Sequence, residues 1–499
     1  MPVWGLEMEM KMKSGILGRA LMSVAALPGL MMASVVDAAK NAKKLGQDDP
    51  RRVYHSVKVG LALTVVSLFY YYQPMYDSFG VSAMWAVMTV VVVFEFSVGA
   101  TLSKGLNRGL ATLLAGALGV GAHHLASLSG HTAEPILLGL FVFIQAAVST
   151  FLRFFPKIKA RYDYGMMIFI LTFALVSVSG YRDGEILDLA HKRLSTILIG
   201  GAACIFIAIC VCPVWAGEDL HKLIALNMEK LGSFLEGFGD MHLNKRSDEE
   251  SKDNKKPSIN GYQSVLTSKN TEDVLANFAK WEPGHGKFLF RHPWAQYLKI
   301  GTLNRQCGCR IEALSTYLNV DLQAPEEIKG EIQTTCGELS LECGKALKEL
   351  SKSIKKMAKP SRLTTQHISN AKRTAKTLKS LLKSDLWAEM DLLDLIPTAT
   401  VASLLIDILI STEQIYEAVE ELATKANFKA RVEPAVSPEM TKVGQMEGDK
   451  ERPSKNKSSK GADCCPKDDD HRHFVINIDG SEPGVETERN RSGVNIQLA

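Results

Sequence analysis

The 499-residue chain is 46% hydrophobic with a formal net charge of +4, so it has room for two or three domains and carries no nucleic-acid signature. Its nine cysteines show neither a C-x-x-C pair nor Cys/His spacing of the kind that holds zinc, which excludes a disulfide framework and a zinc site. The averages hide an asymmetry: apolar stretches dominate from Val53 to Trp215, and from Gly217 onward the chain is charged and rich in Lys and Glu.

In chain order, Ile16–Val36 is interrupted by Arg19, Pro28 and Gly29, which suits an interfacial helix better than a span or a signal peptide. A spanning helix needs about 20 mostly apolar residues. Segments near that length run from Val53 to Gln73, Val81 to Gly99, Leu106 to Leu128, Pro135 to Leu152, Gly165 to Gly180 and Ser195 to Trp215, giving six spans. Gly105-x-x-x-Gly109 in the third span has the small-residue spacing that lets helices pack closely. Lys40, Lys43, Lys44, Arg51 and Arg52 precede the first span. Lys104 and Arg108 follow the second, and Arg153, Lys157, Lys159 and Arg161 follow the fourth. With six spans these groups share one side, so the positive-inside rule places both termini and the whole second half in the cytoplasm.

After Trp215 the apolar spacing becomes helical. Leu220, Leu223, Leu226, Leu231, Phe234, Leu235 and Phe238 mark a first helix over Glu218–Phe238. A charged linker follows over Asn244–Asn260, then a short helix over Thr271–Ala279 with Thr271 as its N-cap. Trp281-Glu282-Pro283-Gly284 ends it, with the Trp anchoring the turn. Pro293–Asn319, Pro325–Met357, Ser361–Lys383 and Asp385–Ala426 read as further helices of a bundle. The fold expected is an all-α membrane protein with an N-terminal segment (1–52), six transmembrane helices (53–215), a cytoplasmic helical domain (216–428) and a disordered tail (429–499).

Charges at bilayer depth cost about 2.5–3.5 kcal/mol on insertion scales, so those retained there face a partner or a water-filled path. Glu95 interrupts an apolar run; Lys104 and Arg108 share a helix face; His191, Lys192 and Arg193 open the sixth span. On these predicted boundaries, basic residues lie at the inner end of the third span and the outer end of the sixth. Facing one cavity they make both mouths cationic and attract dicarboxylates; facing headgroups they are snorkelling residues. His123 and His124 lack an acidic partner at useful spacing, and no phosphate loop or metal motif appears, which argues against an enzyme and gives no cofactor.

Several stretches carry a resemblance: Asp49-Pro50-Arg51-Arg52, Trp85 to Val92, Phe94-Glu95-Phe96-Ser97-Val98-Gly99-Ala100-Thr101, Lys104-Gly105-Leu106-Asn107-Arg108-Gly109, Tyr162-Asp163-Tyr164-Gly165, Pro213 to His221, and Trp281-Glu282-Pro283. Across roughly Asp48 to Ala426 the chain resembles the plant aluminium-activated malate transporter family of anion channels. The resemblance implies a homodimer of six-span subunits that passes malate and other anions passively. It assigns pore-lining roles to Arg108 and Arg193; the charge argument adds Lys104 and Lys192 to the expected anion pore. It implies acidic residues at the outer face for Al³⁺ sensing, matched by Asp77 and Asp188. A third acidic position appears here as Gly184, with Glu185 next to it. Both plasma and vacuolar membranes are open, and an ion-coupled secondary transporter of organic acids is the competing reading.

Overall fold

In the computed structural model the described residues run from 35 to 429, except 75–79, 131, 181–185, 244–258, 318–323, 325, 385–386 and 388–390. Ile16–Val36 and the tail therefore fall almost wholly outside them. Apart from two isolated bridges, the regular structure is helical.

Helix α1 (Pro50–Tyr71) starts where the sequence supplies a cap and a proline. The Asp49 carboxylate accepts the Arg51 N–H and Pro50 sits in the first turn, where its missing N–H costs nothing. Helix α2 (Met84–Val93) has only 10 residues, about 15 Å, half of what a bilayer core requires. Backbone at Phe94 is extended. The Thr101 hydroxyl takes the Glu95 N–H at 3.0 Å, and Ser97 accepts the Ala100 N–H at 3.3 Å to cap α3 (Val98–Ser127). The expected single span over Val81–Gly99 is thus corrected to a short helix, a break, and the first turn of a 30-residue helix. Local polar groups at Ser97 and Thr101 satisfy the backbone that the break frees.

Helices α4 (Glu134–Leu152), α5 (Pro156–Gly180) and α6 (Ile186–Cys210) follow. The last two begin well before the expected Gly165 and Ser195, and α6 ends before Trp215. Gly105 and Gly109 face Ile205 and Leu198 of α6, so the small-residue spacing serves α3–α6 packing. Helix α4 leaves Ile136, Phe143 and Phe151 exposed, an apolar face suited to lipid.

Among the described residues five helices are long and apolar enough to cross a membrane: α3 to α6, and Leu395–Lys425 within α12 (Leu392–Lys425). Helix α1 is not among them. It carries Arg51, Arg52 and Lys58, and the buried Lys58 ammonium donates to the Cys212 carbonyl at 3.2 Å. The expected count of six spans therefore depends on α1 and on the short α2.

Helix α12 is apolar all round for a different reason. Its Val401, Leu405, Ile408, Ile415, Val419 and Leu422 fill the same core as α7 (Ala216–Leu243), α9 (Trp294–Ser315) and α10 (Glu326–Lys356). A helix buried from several sides carries apolar residues on all of them. Helix α8 (Lys269–Ala279) and α11 (Arg362–Leu381) complete the bundle. Ser361 caps α11, whereas Thr271, expected as a cap, lies inside α8.

The bundle core holds an aromatic polar cluster. His221 Nδ1 and Tyr297 Oη are 2.8 Å apart, and His292 Nε2 lies 3.4 Å from the same phenol. Burial, and for His221 the neighbouring His292, pushes both imidazoles down to about 4. Each is neutral in folded and unfolded chains above pH 6.5; below it only the unfolded chain takes up protons readily, so stability is lost as pH falls towards 4. The loss is on the order of 2 kcal/mol per imidazole by pH 5. Thermal unfolding at pH 7 and pH 5 should show His292→Gln losing less on acidification than the unaltered protein; equal losses would contradict this.

Candidate functional site

The ten-residue offset from Val98 to Arg108 sets Arg108 about 15 Å into α3, deeper than a span starting at Leu106 implied. Arg193 lies two turns into α6. The expected placement at two opposite mouths is corrected accordingly: the two guanidinium groups come within range of mutual repulsion.

Both are buried, with 5% of Arg108 and 7% of Arg193 exposed. Arg108 Nη1 donates to the Tyr164 hydroxyl of α5 at 3.0 Å. Arg193 lies over the Trp85 ring of α2, its Cζ 3.9 Å from the centroid, a cation–π contact. No described carboxylate pairs with either arginine. Among the described residues the Nε atoms of both have no hydrogen-bond partner, nor do the hydroxyls of Thr112, one turn beyond Arg108, and Ser177 of α5. Two like charges buried without counter-ions are costly. Retained at this cost, they are the charges to weigh as a candidate functional site.

The two lysines differ. Lys104 forms a close ion pair with Glu95, at the break after α2, and also faces the Tyr164 ring at 5.7 Å. Lys192 pairs with Asp188 at 2.6 Å, one turn earlier on α6. Their charges are largely balanced locally, so the net positive field comes from the arginines. Trp85 and Tyr164 were legible only as parts of motifs; their roles require knowing which helices touch.

Of the acidic set expected at the outer face, Asp77 and Glu185 lie outside the described residues, as does Gly184. Asp188 is held by Lys192. Among the described residues no group of three or more His, Cys, Asp or Glu side chains could hold a metal ion. His123, expected to lack an acidic partner, has one: Glu134 of α4 lies 3.7 Å from its Nδ1, brought there by the turn between α3 and α4. Described cysteines are all free. Cys204, Cys307, Cys336 and Cys343 are buried, while Cys210, Cys212 and Cys309 are exposed.

The Trp281-Glu282-Pro283 motif sits where the bundle meets the membrane helices. Arg161 of α5 lies over the Trp281 ring at 5.2 Å, and Asn277 donates to the Ala160 carbonyl at 3.0 Å. Arg51 of α1 reaches Asp219 of α7 at 2.9 Å.

The family model described as Aluminium activated malate transporter matches residues 43–387. "Aluminum-activated malate transporter 2" of Arabidopsis thaliana is 54% identical over 408 residues, covering 81% of each chain. "Aluminum-activated malate transporter 1" of the same plant is 53% identical over 420 residues, 83% of this chain and 85% of its own. "Aluminum-activated malate transporter 1" of Triticum aestivum is 46% identical over 406 residues, 79% of this chain and 87% of its own.

Proposed function

This chain belongs to the aluminium-activated malate transporter family, and from that premise we propose that it is a channel for passive malate efflux with Arg108 and Arg193 in its anion pathway. It is a multi-pass membrane protein. The observation that carries the reading is the pair of buried guanidinium groups with no carboxylate partner among the described residues. A planar guanidinium matches a carboxylate through two parallel hydrogen bonds and keeps its charge at any cellular pH. Malate, with a carboxylate at each end, can exchange between two such groups without being held by either. Lys104 and Lys192, neutralised by Glu95 and Asp188, flank this pair and tune the approach.

The membrane domain (53–215) bears its basic loops on the side of the bundle (216–428), which supports cytoplasmic termini. A homodimer in the plasma membrane fits the family; a fluorescent fusion and cross-linking in intact cells test both.

Aluminium activation is the finer part of the proposal, resting on Asp77, Asp188 and Glu185. A hard trivalent cation favours carboxylate oxygens. At Asp188 it must displace the Lys192 ammonium. Asp188→Asn and Asp77→Asn should each blunt the rise in malate current on adding external Al³⁺; an undiminished rise in both removes them from the sensor.

The break after α2 favours a second reading, because half-helices at bilayer depth also build coupled transporters. Current–voltage recording with malate on one side and no pH gradient separates the two. A channel reverses at the malate equilibrium potential, and a proton-coupled carrier does not.

A further inference from the structure

A helix begins with N–H groups that have no partner within it. At α7 they are capped from a distance: the Glu282 carboxylate accepts the Ala216 N–H at 2.6 Å through Oε1 and the Gly217 N–H at 3.0 Å through Oε2. The first turn of α3 packs on the same side chain: a Cβ at Gly99 would lie 3.0 Å from Glu282 Cγ. Beside it the Val98 N–H donates to the Val214 carbonyl at 2.9 Å. One side chain from the loop after α8 therefore caps the first turn of α7 and lies against the first turn of α3, the helix that carries Arg108. Both helix dipoles direct positive ends at it.

The approach is close enough to demand glycine twice. A Cβ at Gly99 would lie 2.4 Å from the Phe278 carbonyl oxygen, and one at Gly217 would lie 2.4 Å from Trp294 Cη2. Charged and titratable groups around the carboxylate are Asp219 of α7, itself paired with Arg51 of α1, Arg161 of α5 over Trp281, and His285, whose ring stacks on Trp215 at 3.8 Å.

We propose that Glu282 is a positioning residue for conduction: it fastens the bundle to the start of α3 and so favours the open arrangement of that helix, leaving the Arg108 pathway itself unaltered once open. The inference rests on the anion-pathway reading of Arg108. It also makes the bundle the element through which events on its side of the membrane reach that pathway.

Burial lifts the Glu282 carboxyl to about 7 against the pull of the backbone amides. A carboxylate released into water would titrate near 4.5. The fastened state thus binds the proton more tightly, so acid on the bundle side favours fastening and alkali favours release. His221 and His292, pushed down to about 4, stay neutral across this window.

The test is single-channel malate current from the full-length protein in excised patches, with pH on the bundle side stepped from 8 to 6. Glu282→Ala should lower open probability by about tenfold or more, the scale of leaving buried backbone donors without an acceptor, with unitary current and malate/chloride permeability ratio unchanged. The unaltered protein should gain open probability as pH falls through 7. Glu282→Gln, which keeps an acceptor for one of the two N–H groups but turns a donor to the other, should be more active than Glu282→Ala and lose that pH dependence, while His285→Gln should keep it. If Glu282→Ala does not reach the surface, Gly99→Ala, which leaves the carboxylate in place, should lower open probability at every pH. Unaltered open probability in Glu282→Ala or, in its absence, Gly99→Ala overturns the proposal, as does an identical pH profile in Glu282→Gln and the unaltered protein. An unchanged permeability ratio in Arg108→Gln would instead sink the pathway reading and leave the capping result standing.

Discussion

Arg108→Ala should reduce malate current at equal surface expression by about tenfold or more, because an ionised pair of hydrogen bonds to a carboxylate is worth about 1.5–3 kcal/mol. Arg193→Glu should do more. It places a carboxylate beside Arg108, so the two site charges change from +2 to 0 and the remaining guanidinium gains an internal partner in place of malate. Two readouts check this: whole-cell malate current normalised to surface protein, and the malate/chloride permeability ratio. Unchanged conductance and selectivity in both variants would remove these residues from the pathway. Lys104→Ala should have the smaller effect on permeation, since its ammonium already faces Glu95.

The second large effect concerns stability. Glu272 of α8 is fully buried, with 0% exposed. It forms a close ion pair with Arg305 of α9 and accepts from Ser268 Oγ at 2.7 Å and Asn227 Nδ2 at 3.3 Å. Arg305→Met would leave a buried carboxylate with two neutral donors, and breaking such a pair costs about 3–5 kcal/mol. Removing the charge as well, in Arg305→Met with Glu272→Gln, should recover most of the loss. Denaturant unfolding of the purified protein measures both; a single variant within about 1 kcal/mol of the unaltered protein would show the pair is not needed. Helix α8 leads directly into Trp281-Glu282-Pro283, so loosening it should also disturb the Glu282 cap on α7.

How much of this the sequence disclosed depends on whether the signal was local. Helices α1, α4 and α11 begin close to where Asp49-Pro50, Pro135 and Ser361 place them, because capping and proline geometry act within a turn. The all-helical bundle was legible from apolar spacing at Leu220, Leu231 and Phe238. The break between α2 and α3 was not, since Val90 to Val93 and Val98 onward are apolar alike and the single charge of Glu95 between them is too little to divide a span by hydropathy. The available signal was Ser97, a helix N-cap residue inside a presumed span. Long-range pairings were beyond reach for the same reason. Glu95 with Lys104, His123 with Glu134, and Glu282 with Ala216 and Gly217 form only once helices are placed beside one another. The depth of Arg108 followed from the unrecognised start of α3 at Val98.

Whether the two guanidinium positions face an aqueous anion path can be measured directly by cysteine accessibility. Arg108→Cys and Arg193→Cys, in a background with Cys210, Cys212 and Cys309 replaced by serine, would be exposed to a positively charged thiol reagent while malate current is recorded. Modification should raise the current at both positions by restoring the lost charge, and malate in the bath should slow the reaction. If neither position reacts in an open channel, or if malate gives no protection, anions do not pass between these arginines.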